Sequence, residues 1–102
     1  MNAYSETLVL PNGDGLHLRV AAAAARAASG FGADVRISMG KVQVSARSVL
    51  ELLTLGAAQG SRLTVTGEGA DACEAVRAIV TLFSSLGGAN GANLSAALGP
   101  PG

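Results

Sequence analysis

The sequence predicts an α+β domain: an open-faced β-sandwich whose four-stranded antiparallel sheet is covered on one face by three helices, in the order βαββαβα. Three observations predict it. Short segments alternate apolar and polar residues, as in Val35 and Ile37 against Asp34, Arg36 and Ser38, which calls for one buried and one wet sheet face. Two such segments are separated only by a turn around Met39-Gly40, which makes them an antiparallel hairpin. The remaining segments carry helical spacing, and helices can cover the apolar side of such a sheet.

Taken in order, Ser5 to Leu10 is rich in β-formers and is ended by Pro11-Asn12-Gly13, so it reads as the first strand. Leu18 to Ser29 holds a run of alanine, the strongest helix former, with Gly30 as its stop. Arg19 and Arg26 lie seven apart and share a face of that helix. Ala33 to Ser38 is the second strand, and Val42 and Val44 repeat its inward pattern in the third. Ser48 to Leu55 is a short helix with Ser48 as N-cap. Its Val49, Leu50, Leu52, Leu53 and Leu55 exceed what one buried stripe needs.

Arg62 to Thr66 is the last strand, with Leu63 and Val65 facing inward. The final helix starts at Asp71, and Glu74 three residues on gives capping-box spacing. Cys73, Val76, Ile79, Val80 and Phe83 recur at helical intervals, which places them, Cys73 included, in the core. The domain is therefore residues 1–86. Residues 87–102, largely glycine, alanine, asparagine and proline, cannot bury enough apolar surface to offset their ordering entropy and are expected to form a disordered tail.

Composition narrows the function. A chain of 102 residues with 49 % hydrophobic content is one globular domain with a modest core. Seven basic and seven acidic residues cancel, so the basic footprint of a nucleic-acid binder is missing. Aromatic content of 3 % leaves no stacking platform for bases or sugars. One cysteine excludes an internal disulfide and a multi-cysteine zinc site. Met1 to Leu10 has neither a basic start nor a long apolar run, and nothing later is long enough to span a membrane, so a cytoplasmic protein without membrane insertion is expected. Gly67-Glu68-Gly69 loosely matches a dinucleotide-binding turn, but no second parallel strand with an acidic residue follows. With no P-loop, metal-ligand cluster or Ser/His/Asp arrangement, no cofactor is expected.

Gly13 to Ala25 carries the chemistry. A glycine-rich turn leads into the only histidine, His17, then Arg19, then the alanine run, so His17 stands at or just before a helix N-terminus. The first amides of a helix lack intrahelical partners and favour an anion. Arg19 adds a permanently charged fork for phosphate or carboxylate oxygens. An imidazole nitrogen is a competent nucleophile near neutral pH. Nucleophile, anion cradle and counter-charge thus fall within three residues. They predict that His17 accepts a phosphoryl group and passes it on.

Gly15-Leu16-His17-Leu18-Arg19-Val20-Ala21 resembles the Gly-Leu-His-Ala-Arg-Pro-Ala signature of the HPr family, the histidine-containing phosphocarriers of the bacterial phosphotransferase system. Ala46 to Gly56 resembles the family's second signature, around a serine at the start of its middle helix. The resemblance spans roughly Glu6 to Phe83. It implies a monomeric carrier, not an enzyme with a small-molecule substrate. His17 would take phosphate on Nδ1 from phosphorylated enzyme I and donate it to sugar-specific acceptor proteins. Arg19 would balance the charge, and the amides of Leu18 and Arg19 would hold the phosphate. Ser48 would be the site of a regulatory kinase, HPr kinase/phosphorylase, and Leu18, Val49, Leu50 and Leu53 would form the apolar docking surface. The alternative within the same fold is a phosphorylation-controlled regulatory binding module of the nitrogen-branch phosphotransferase type. Two positions depart from the signature: Leu18 replaces a small residue and Val20 replaces proline. The second change costs on the order of a kcal/mol or less in helix initiation.

Overall fold

The computed structural model describes residues 2–89. Its elements are β1 (Ala3–Val9), α1 (Leu18–Ser29), β2 (Asp34–Met39), β3 (Val42–Ser45), α2 (Val49–Thr54), β4 (Arg62–Glu68) and α3 (Ala72–Ala89). The sheet runs β1-β4-β2-β3 with every pair antiparallel, so the first strand is joined to the rest through the last. This is the expected architecture.

Strand pleating separates the two faces of the sheet. Glu6, Val65, Ile37 and Val44 stand in one cross-strand row and Leu8 faces Leu63, all on the helix-covered side. Ser5, Thr66, Arg36 and Ser45 form a row on the open side, where Ser5 meets Thr66 at 2.9 Å and Thr7 meets Thr64 at 3.1 Å through their hydroxyls. Val35, Ile37, Leu63 and Val65 are fully buried beneath Val76, Ile79 and Phe83 of α3. The α1 helix turns Val20, Ala21, Ala24, Ala25 and Ala28 to the core. Four of those five are alanines, whose small side chains let the helix axis lie close to its neighbours.

Three sequence expectations are corrected. Val42, expected to face inward like Val44, is 51 % exposed because it stands on the edge strand in the last pair before the Gly40-Lys41 turn. Cys73, expected in the core, is exposed. The buried stripe of α3 is Ala72, Ala75, Val76, Ile79 and Phe83, and Cys73 lies about 100° round the axis from Ala72 on the first turn. Asp71 makes a long-range tie in place of the expected cap: its Oδ2 accepts from the Gly32 amide at 2.9 Å and its Oδ1 from the Ala33 amide at 2.8 Å. The guanidinium of Arg47 donates to the Phe31 and Ala33 carbonyls of the same loop. Two oppositely charged side chains thus hold both kinds of backbone group in the turn between α1 and β2.

The α3 helix continues to Ala89, past Leu86 where the tail was expected to begin; the rest of that expectation, residues 90–102, lies outside the described residues. Among the described residues no helix is long and apolar enough to cross a membrane.

The Gly32 amide holds the Asp71 carboxyl below the ordinary aspartate value, helped by the Ala33 amide and Arg47 against an opposing effect of partial burial. A group with a lowered folded pKa stabilises the fold fully above its unfolded value, about 4, and loses that contribution as pH falls through the folded value. Asp71→Asn is expected to flatten the acid limb of stability below about pH 4. Urea midpoints across that range test this, and an acid limb of wild-type steepness would exclude the role.

Candidate functional site

The chain enters the site through a loop fastened to the segment after α2. Leu10 exchanges backbone hydrogen bonds with it, donating to Ser61 and accepting from Gly60, both at 2.8 Å. Gln59 Nε2 donates to the Pro11 carbonyl at 3.0 Å, and the Leu16 amide donates to the Ala57 carbonyl at 3.0 Å. Gly15 has φ +65°, and a Cβ there would stand 2.5 Å from Ala57 O and 2.8 Å from Ala58 Cα. Only glycine meets both demands. Inside the loop, the Asn12 carbonyl accepts from the Gly15 amide at 3.1 Å while Asn12 Nδ2 donates to the Gly15 carbonyl at 2.9 Å. Sequence reasoning took Pro11-Asn12-Gly13 only as a strand stop and missed this grip; an asparagine in a turn is the signal that points to it.

His17 is the N-cap of α1, with extended backbone (φ −93°, ψ 179°) and its carbonyl accepting from the Ala21 amide at 2.9 Å. Its ring nitrogen Nδ1 accepts from the Arg19 amide at 3.2 Å. A nitrogen that accepts carries no proton, so the neutral ring bears its hydrogen on Nε2 and keeps the Nδ1 lone pair at the helix end. Leu18, Arg19 and Val20 form the first turn, whose amides lie too early for intrahelical acceptors. The imidazole is half-buried, Arg19 is exposed and Leu18 is 62 % exposed. Val20 is buried in the core, so the residue that replaces the signature proline adds apolar burial at that position.

The second motif lies on α2, which packs against α1. Ser48 is its N-cap, with Oγ accepting from the Glu51 amide at 3.2 Å, while Glu51 Oε1 accepts from the Ser45 amide at 3.0 Å. The surplus of apolar residues on this helix is smaller than the sequence suggested. Leu52 and Leu55 are buried, Val49 and Leu53 lean partly on the core, and Leu50 alone is 77 % exposed. His17, Leu18 and Arg19 therefore form one cluster at the head of α1, and Leu50 projects to solvent from α2, which packs against α1. Gly67 and Gly69 serve packing: a Cβ on Gly67 would stand 2.9 Å from Val76 Cγ2, and Gly69 has φ +140°.

Gly15→Ala combines a left-handed backbone with a backbone clash, and is expected to lower stability by ~1–3 kcal/mol. Thermal unfolding checks this; an unchanged midpoint would mean that the Ala57 segment can retreat.

A half-exposed imidazole with an unprotonated Nδ1, first-turn amides and an arginine beside it suits reversible transfer of an anionic group. The comparisons agree. The family model for the PTS HPr component phosphorylation site matches residues 4–85. The phosphocarrier protein HPr of Haemophilus influenzae is 34 % identical over 83 residues, covering 81 % of this chain and 98 % of its own length. The phosphocarrier protein NPr of Shewanella violacea is 39 % identical over 85 residues, covering 83 % and 93 %. The crystal structure of HPr-C-His from Thermoanaerobacter tengcongensis superimposes with a TM-score of 0.79 at 33 % identity, covering 83 % of this chain and 96 % of that one. With fold and sequence in agreement, the chain belongs to the HPr family of phosphotransferase-system phosphocarrier proteins.

Proposed function

We propose that His17 is the residue that carries the phosphoryl group, taking it from phosphorylated enzyme I and giving it to sugar-specific acceptor proteins. The observation that carries this reading is the hydrogen bond from the Arg19 amide to Nδ1 of His17, half-exposed at the N-terminus of α1. Nδ1 attacks the phosphorus carried by the donor: the new N–P bond forms as the donor's bond to phosphorus breaks, and Nδ1 has no proton to lose. Its hydrogen bond from the Arg19 amide is then free to pass to a phosphoryl oxygen. The Leu18 amide and the Arg19 guanidinium supply further donors and charge. A helix end contributes only about 0.3–1 kcal/mol to an exposed anion, which suits a group that must leave again. The protein acts as a cytoplasmic monomer and is a substrate of its partners, with no small-molecule reaction of its own.

Leu18 and Leu50, with the half-buried Val49 and Leu53, make the docking surface for both partners. Ser48 is the regulatory phosphorylation site: a phosphate there gains from the helix dipole and sets charge beside the apolar rim, so it obstructs docking without unfolding the helix.

Incubation with phosphoenolpyruvate and enzyme I is expected to place acid-labile label on the wild type and none on His17→Ala. Arg19→Ala is expected to slow labelling by ~10–100-fold, the equivalent of one charge-assisted hydrogen bond. Full labelling of His17→Ala would overturn the assignment. Ser48→Ala should cost ~1 kcal/mol through the lost cap, read by urea unfolding, while the labelling rate stays within twofold. The likeness to an NPr protein supports a second reading, a nitrogen-branch regulator. Label that remains on His17 with every sugar-specific acceptor tested would favour it.

A further inference from the structure

We propose that Asn12 is a positioning residue for phosphoryl transfer, holding His17 in place through the carbonyl oxygen of Gly15. The inference rests on the reading of His17 as acceptor. Asn12 Oδ1 is buried without a hydrogen-bond partner among the described residues. The other end of the amide explains the arrangement. A carbonyl oxygen can only accept, so the Gly15 carbonyl, 2.9 Å away, requires the NH2 group of Asn12 and leaves Oδ1 with nothing. Unsatisfied buried acceptors are rare in folded proteins, and one retained beside a reacting group calls for a reason.

The reason lies in what else the Gly15 carbonyl holds. It also accepts from the His17 amide at 3.1 Å, so its two lone pairs face Asn12 on one side and His17 on the other. The remaining fastenings of His17, its carbonyl to Ala21 and its Nδ1 to the Arg19 amide, belong to α1 itself. The bond from the His17 amide is the one that ties the residue to the incoming loop. The middle of that loop is open: a Cβ on Gly13 would meet nothing within 4 Å, and Asp14 is exposed. Without the Asn12 donor the Gly15–Leu16 peptide keeps two of its three hydrogen bonds, from the Leu16 amide to Ala57 and from the His17 amide to the Gly15 carbonyl, so its carbonyl end can tilt about the Ala57 anchor. Transfer needs Nδ1 in line with the phosphorus of the donor, so a tilted peptide costs rate and leaves partner docking intact.

The test uses Asn12→Asp, which keeps the size and acceptors but has no donor at neutral pH, alongside Asn12→Ala. Amide hydrogen exchange in the unphosphorylated protein is expected to quicken at least tenfold at His17 in both variants, while Ile37 and Leu63 in the sheet exchange as in wild type. With phosphorylated enzyme I, kcat at saturating carrier is expected to fall at least tenfold and KM for the carrier to stay within twofold. Wild-type exchange at His17 would overturn the proposal. So would exchange that rises equally at Ile37 and Leu63, or a loss confined to KM, or an unchanged kcat. If the wild type itself takes no label, the acceptor reading fails, and the exchange data alone still decide whether Asn12 holds His17.

Discussion

One hydrogen bond organises this protein, that from the Arg19 amide to Nδ1 of His17. A helix must find acceptors for its first amides, and side chains with a short polar tip usually provide them. Here an imidazole does so. The arrangement stabilises α1 and at the same time chooses the ring tautomer, points the Nδ1 lone pair at the helix end and leaves the ring edge open to a partner. Structure and chemistry depend on the same contact, so the rest of the fold serves to place it.

Two supports hold the head of α1. The alanine face of the helix sits against the core through residues too small to keep it at a distance. The loop before it is tied to the segment after α2 by Leu10, Pro11 and Leu16, with Gly15 fitting where no side chain could. At the far end of α1, Asp71 and Arg47 grip the turn into β2 from opposite charges. Both ends of the helix are therefore defined by residues distant in sequence, which limits how far His17 can drift.

The exposed surface is shared unevenly. Leu18 and Leu50 are open to solvent, whereas Val49 and Leu53 also serve the core. Under the proposed docking role, a patch of so few residues suits brief encounters better than a permanent interface, because little apolar area has to be uncovered on release. Leu18, larger than the signature's alanine, adds to that rim immediately beside the ring.

What the sequence by itself determined is local. Alternation of Val35 and Ile37 with polar neighbours, the alanine run after Arg19, and Gly15, His17 and Arg19 at alternate positions are all properties of near neighbours in the chain. Period and capping chemistry act over a few positions, so the strands, the helices and the His17 cluster could be read directly. The strand order β1-β4-β2-β3, the exposure of Val42 and Cys73, the use of Asp71 to hold a loop 38 and 39 residues away and the grip of Asn12 on Gly15 were decided by tertiary structure. Each depends on which surfaces meet when the helices close over the sheet. Burial and long-range hydrogen bonding are properties of that meeting, and no spacing along the chain encodes them.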